Sequence, residues 1–173
     1  DENGLPMLVD FNTGAQINRI EDVMSNNIDP RIAHTAGIIG MPYKYDPNRI
    51  FDESYSRVPG VYGFKLGMKD QELPSSPAFR QYTAFFSISR NTDQMRWGEI
   101  LLWKAEALIE LGRMGEALPI INRIRERAGN SASLSRLVMA DGSPSGNYVI
   151  GTYTDLGSQD NARQILRYEK RME

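Results

Sequence analysis

Between residues 96 and 130 apolar side chains recur with a helical period, and a glycine interrupts the recurrence near its middle. Trp97, Ile100, Leu101, Ala105, Leu108 and Leu111 follow the i, i+3, i+4, i+7 spacing of one helix face. Gly112 then stands where a helix commonly ends in a left-handed residue. A second run starts near Glu116 and places Ala117, Ile120, Ile121, Ile124 and Ala128 on one face, up to a stop at Gly129-Asn130. Pro119 is expected in the first turn, where a missing N–H costs little. So short a joint predicts an antiparallel αα-hairpin. Ala105 and Ala117 oppose each other where the helix axes approach, with larger side chains in the flanking grooves, which is a tetratricopeptide-like register. A generic helical hairpin fits the same pattern. Repeats of that kind usually need at least three copies to close a core, and one is visible.

Other elements are expected around this hairpin. Ile17, Ile20, Val23 and Met24 form a weakly helical stretch. Asp29-Pro30-Arg31-Ile32 reads as a helix start, with Asp as N-cap and Pro at the first helical position. Tyr148–Tyr153 looks extended, and a last helix is expected from about Asp160, burying Ala162, Ile165, Leu166 and Met172. That helix remains amphipathic to Glu173, as if the chain were cut there.

From Gly40 to Arg80 five prolines and several glycines rule out long regular elements. Yet this stretch carries Tyr43, Tyr45, Phe51, Tyr55, Tyr62 and Phe64, more aromatics than a solvated linker holds. An ordered, irregular segment laid over a helical scaffold is the expectation. Flat rings can cover the C–H face of a sugar while polar side chains meet its hydroxyls. Tyr43, Tyr45, Tyr55 and Tyr62, with Arg57 and Lys65 beside them, are the candidate ligand-binding residues, and Asn48 and Asp52 complete the mixture. The competing reading is that these tyrosines pin the loop to the scaffold through their hydroxyls.

Composition removes several function classes. With 20 basic and 22 acidic residues the net charge is −2, which gives no electrostatic reason to bind nucleic acid or an anionic membrane. The chain has no cysteine and a single histidine, His34, so a thiol nucleophile, a His-rich metal site or a Ser-His-Asp triad is hard to build. His34 reads as a hydrogen-bonded structural residue. Glu99 and Glu106 lie two turns apart, about 10 Å by helical rise, and read as structural partners of Arg96 and of a neighbouring helix rather than as an acid/base pair. Trp97 is expected in the core and Trp103 off the stripe. No enzyme, metal or cofactor is expected.

Three segments carry a family resemblance. Arg96-Trp97-Gly98-Glu99-Ile100-Leu101-Leu102-Trp103-Lys104-Ala105-Glu106-Ala107 resembles the R-x-x-E-x-L-L-x-x-A-E-A segment of SusD/RagB proteins. Ile121-Asn122-Arg123-Ile124-Arg125-Glu126-Arg127-Ala128-Gly129 is similar to that family's I-N-x-I-R-x-R-A-G helix end. Ile165–Glu173 resembles its I-L-x-E-R-R-x-E-L helix, and Asp29-Pro30-Arg31-Ile32 a recurring Asp-Pro-Arg element. Gly98 departs from the family's larger residue and should slightly weaken its helix.

The resemblance implies a mainly α fold with a tetratricopeptide-like helix pair at 96–130 and long irregular loops, 40–80 among them. Residues 1–173 would then be the later portion of such a domain, truncated at both ends. It further implies a surface-exposed outer-membrane lipoprotein whose lipid anchor lies outside this chain. Such a protein binds oligosaccharide or polysaccharide nutrients without catalysis and delivers them to a SusC-type TonB-dependent transporter. A peptide-binding member of the family and a tetratricopeptide interaction module are the alternatives. The family's shared motifs are structural, so they transfer no binding residue by position.

Overall fold

A computed structural model of the chain describes residues 1–8, 17–43, 46–63, 66–69, 93–131 and 137–173. These residues are mainly α, as expected, with one short two-stranded sheet. The elements are α1 (Ile20–Ser25), α2 (Pro30–Thr35), β1 (Pro42–Tyr43), β2 (Asp46–Ile50), a 3-10 turn at Glu53–Tyr55, α3 (Pro59–Tyr62), α4 (Trp97–Glu110), α5 (Met114–Asn130) and α6 (Gln159–Met172).

The α4–α5 hairpin forms as the periodicity predicts. Gly112 takes φ 72°, its amide donates to the Ile109 carbonyl, and the Arg113 amide donates to that of Leu108. This pair of bonds is the Schellman closure, which satisfies carbonyls that the helix end leaves open. α5 begins two residues earlier than expected and runs through Asn130. Pro119 is therefore its sixth residue, beyond the first turn, and it is exposed. The Gly115 carbonyl that proline's missing N–H would have bonded lies on this exposed side of the helix.

α4 turns a different face inward from the one its spacing picked out. Gly98, Leu102, Ala105, Leu108 and Ile109 are buried, whereas Trp97, Ile100 and Leu111 are exposed, Trp97 by 64%. The expectation of a core Trp97 is thus corrected, and Trp103 lies outside as well. The apolar arc of the helix is broad, and the buried face shares Ala105 and Leu108 with the expected stripe, so period alone does not fix which edge of that arc turns inward. Side-chain size decides. Gly98 and Ala105 allow close approach to the neighbouring chain, and a Cβ at Gly98 would come within 2.3 Å of the Glu173 carboxylate. A larger residue at 98 would have to displace the Glu173 side chain, and glycine avoids this at a helix-propensity cost of roughly 1 kcal/mol.

The hairpin closes its core with α6 rather than with a second visible pair. Leu102, Ala105, Leu108 and Ile109 meet Ala117, Ile121 and Ile124 of α5, Ala162, Ile165 and Leu166 of α6, and Leu156. Each fully buried leucine or isoleucine contributes roughly 1.5–3 kcal/mol. Ser158 caps α6 by accepting from the Asn161 amide, and Gln159 donates to the Ile109 carbonyl at the end of α4. Met172, expected inside, is only partly covered.

A second, smaller core gathers Val23, Ile28, Ile38 and Met41, with Tyr148 packed against it. Met24, placed on the same face by spacing, is exposed. Asp29 caps α2 as read, its carboxylate accepting from the Arg31 amide at 3.0 Å with Pro30 in the first turn. The extended stretch after Tyr148 forms no strand. It is held instead by a parallel bridge from Tyr148 to Ile28 and by the Gly151 amide donating to the Gly4 carbonyl.

Buried charges tie the two cores together. Glu169 of α6 is 0% exposed, Arg125 of α5 1% and Arg31 of α2 6%. The Glu169 carboxylate accepts from Arg31 Nη1 at 2.8 Å through one oxygen and from Arg125 Nη1 through the other. Asp29 completes a fork on Arg31, and Arg125 donates to the Gly151 and Gly4 carbonyls. Burial works against the charge of Arg31, but the Asp29 hydrogen bond and the Glu169 and Asp29 carboxylates outweigh it and hold its pKa above the ordinary value.

Two outcomes test this architecture. Glu169→Gln leaves two buried guanidiniums without a carboxylate between them and should cost about 3–5 kcal/mol, read from urea unfolding. A loss under about 1 kcal/mol would show that the pair is not buried in solution. Gly151→Ala drives a Cβ to 2.0 Å from the Asn3 carbonyl oxygen. It should cost about 1–3 kcal/mol and release protection of the residue 151 amide, which donates to the Gly4 carbonyl, in hydrogen exchange.

Candidate functional site

The irregular segment after α2 starts from Gly40, whose amide donates to the Phe51 carbonyl while the Phe51 amide donates to that of Met41. These bonds close an antiparallel pair, Pro42 opposite Ile50 and Tyr43 opposite Asp46, with an irregularity between Pro42 and Tyr43. Asp52 then accepts from the Ser54 amide and starts the 3-10 turn that brings Tyr55 back over the hairpin. Ser56, 7% exposed, anchors the next bend by donating to the Gly63 carbonyl at 2.6 Å. Proline and glycine exclude long elements here, and side-chain hydrogen bonds do the ordering instead.

Three rings meet on this frame. Tyr43 and Tyr55 have centroids 5.2 Å apart, Phe51 and Tyr55 4.9 Å, and Tyr43 lies nearly parallel to Phe51 at 6.5 Å. Phe51 is the buried anchor, and a Cβ on Gly37 would come within 2.8 Å of its ring. Tyr43 and Tyr55 are half-buried. Arg49, on the exposed strand β2, sets its guanidinium 5.1 Å from the Tyr43 ring centre and 5.3 Å from that of Tyr55. Its Nε donates to the Tyr55 hydroxyl. Burial raises the Tyr43 pKa, partly opposed by Arg49. The Tyr55 hydrogen bond raises that of Arg49. The result is a ring cluster with one inner anchor, two partly open tyrosines and a cation across them, joining a flat apolar surface to hydrogen-bonding groups.

Of the residues singled out from sequence, the structure brings Tyr43 and Tyr55 together. Arg57 is exposed just beyond the 3-10 turn, and Tyr62 is the last residue of α3. Tyr45 and Lys65 lie outside the described residues, as does Phe64. Arg49 was not singled out. Its partner Tyr55 is brought back to it by the 3-10 turn, which residue spacing does not reveal.

The other residues weighed for chemistry take structural places. His34 Nε2 lies 2.9 Å from Ser131 Oγ, joining α2 to the end of α5. The Glu99 carboxylate accepts from the Arg96 amide at 3.1 Å at the start of α4, with the Arg96 guanidinium 3.9 Å away. Glu106 pairs with Lys170 of α6. These are the contacts expected of helix-end and interhelical partners rather than of an acid/base pair.

The motif segments have physical accounts of the same kind. Asn122 donates to the Tyr153 carbonyl at 2.9 Å and accepts from its amide at 2.8 Å. Arg125 stacks 4.9 Å over the Tyr153 ring, and a Cβ on Gly129 would strike Ile150 at 2.8 Å. Burial, and secondarily the nearby Asp29 carboxylate, push the Tyr168 phenol up to about 12. No curated protein matches the chain. The SusD family matches it over residues 3–173, all but the first two residues. The chain belongs to the SusD family.

Proposed function

We propose that this protein captures oligosaccharide or polysaccharide nutrients at the cell surface and passes them, unchanged, to a SusC-type TonB-dependent transporter in the outer membrane. The observation that carries the reading is the family match across residues 3–173, since SusD proteins are non-catalytic nutrient-binding proteins of the outer membrane. A lipid anchor would hold it there. Within the chain, Tyr43, Tyr55 and Arg49 support the sugar reading over a peptide one. Two half-open rings offer an apolar face for stacking, and the guanidinium beside them offers donors for ring hydroxyls. Arg57 stands close by in sequence as a further donor, and Tyr45, Tyr62 and Lys65 complete the proposed ligand set.

Affinity electrophoresis against a panel of polysaccharides tests it. At least one polysaccharide should retard the protein, and calorimetry with its oligomers should show Tyr55→Ala weakening binding about tenfold, the loss of one stacked ring and one hydrogen bond. Arg49→Ala should weaken it by a smaller factor with little change in stability, because Arg49 is exposed. If Tyr55→Ala lowers the melting temperature sharply and leaves affinity unchanged, the rings only pin the loop. No retardation by any polysaccharide would sink the glycan reading altogether.

A further inference from the structure

The outer side of the Tyr43–Tyr55 pair is already occupied, and by a cation. The Arg49 guanidinium carbon lies 5.1 Å from one ring centre and 5.3 Å from the other, and the two centres are 5.2 Å apart. It therefore sits in the notch between the rings, at nearly equal distance from both. Buried Phe51 closes their inner side. A sugar that stacks on these tyrosines has to share the notch with the guanidinium or move it aside.

The guanidinium is held at one corner and open at the others. Its Nε donates to the Tyr55 hydroxyl, and among the described residues no carboxylate forms an ion pair with it. Three acids flank it in sequence, and each is engaged elsewhere. Glu53 pairs with Arg19 at 2.6 Å. Asp52 accepts from the Ser54 amide at 2.7 Å, and Asp46 from the Asn48 amide at 3.0 Å. The Tyr55 hydrogen bond supports the Arg49 charge most and Asp46 least. Both Nη groups of an exposed arginine thus remain available beside an aromatic platform.

The consequence is selection by charge. A neutral pyranose displaces a cation from two aromatic faces and brings only hydroxyl oxygens in exchange. A pyranose with a carboxylate brings an acceptor for two parallel charge-assisted bonds to the same fork, and its C–H face takes the ring area that the guanidinium leaves. An acidic peptide carries the carboxylate but has no rigid C–H face to fill the notch.

We propose that Arg49 makes the Tyr43–Tyr55 site selective for a uronate, whose carboxylate draws the guanidinium off the rings while the sugar face takes its place. This rests on the glycan reading of the site and names the class of sugar.

Affinity electrophoresis against polygalacturonate, alginate, galactan and dextran is the first test, and at least one of the two acidic polymers should retard the protein most. Calorimetry then compares the trimer of that uronate with an uncharged galactose trimer and a glutamate tripeptide. The uronate trimer should bind about tenfold tighter than either, and rising salt should weaken it. Arg49→Ala should weaken the uronate trimer about fivefold and leave the uncharged one unchanged or tighter, closing most of the gap, with circular dichroism reporting the same fold. Arg49→Gln, which keeps a donor for Tyr55 without the charge, should do the same and decides the matter should the alanine variant misfold. Retardation by a neutral polymer and by neither acidic one overturns the charge selection and leaves the glycan reading standing; retardation by none overturns both. Equal binding of the galactose trimer or the tripeptide, or a uronate preference that the folded Arg49 variants retain, overturns the selection as well.

Discussion

The structure depends most on one carboxylate. Glu169 accepts from arginines of two other helices, and one of them, Arg125, reaches the N-terminal backbone and the stretch before α6. Apolar packing alone would let α6 slide or rotate against its neighbours, since leucine and isoleucine contacts have little directionality. A buried, fully partnered charge removes that freedom, because any shift of about an ångström strands two guanidiniums in a low-dielectric interior. The network adds little net stability over a hydrocarbon core of the same volume. Its effect is to select one register for five chain segments at once.

This explains why the motif segments look as they do. Ile121 and Ile124 belong to the core. Asn122, Arg125 and Gly129, in the same helix, all face the stretch at 150–153: one clamps its backbone, one donates to it and stacks on Tyr153, and one lacks the side chain that would collide with it. Asp29-Pro30-Arg31 combines a helix cap with the second arginine of the network in three residues. The sequence resemblance therefore rests on residues that fix how segments cross, and the hydrophobic stripe supplies the rest.

How much was legible follows from the range of the interactions concerned. The hairpin, its glycine turn, the Asp29 cap and the last helix were readable because their causes are local: period, capping chemistry and left-handed backbone. The inward face of α4 was not, since its apolar arc is broad and the edge that turns inward is set by packing against α5 and α6, the latter about 60 positions on in the chain. Nor was the burial of Glu169 and Arg125, whose pattern in sequence is that of a charged outer face. A charge looks the same in sequence whether water or another charge will meet it. In the irregular segment the tyrosines were legible as a group, and their mutual contact was not, because a 3-10 turn and a hairpin irregularity set it.

These two kinds of order divide the molecule. Where helices cross, position is set by buried groups that tolerate no displacement. Around Tyr43 and Tyr55 it is set by stacked rings and a surface guanidinium, contacts worth roughly 0.5–1.5 kcal/mol each, which a ligand of similar chemistry can replace one for one. A sugar ring arriving there would exchange Arg49 from ring face to hydroxyl without disturbing Phe51, whose burial anchors the frame. The rigid part could thus stay fixed while the outer layer adapted to a ligand bound there. A carrier of the kind proposed would need that separation: binding strong enough to collect a nutrient, built from contacts weak enough individually to let it go.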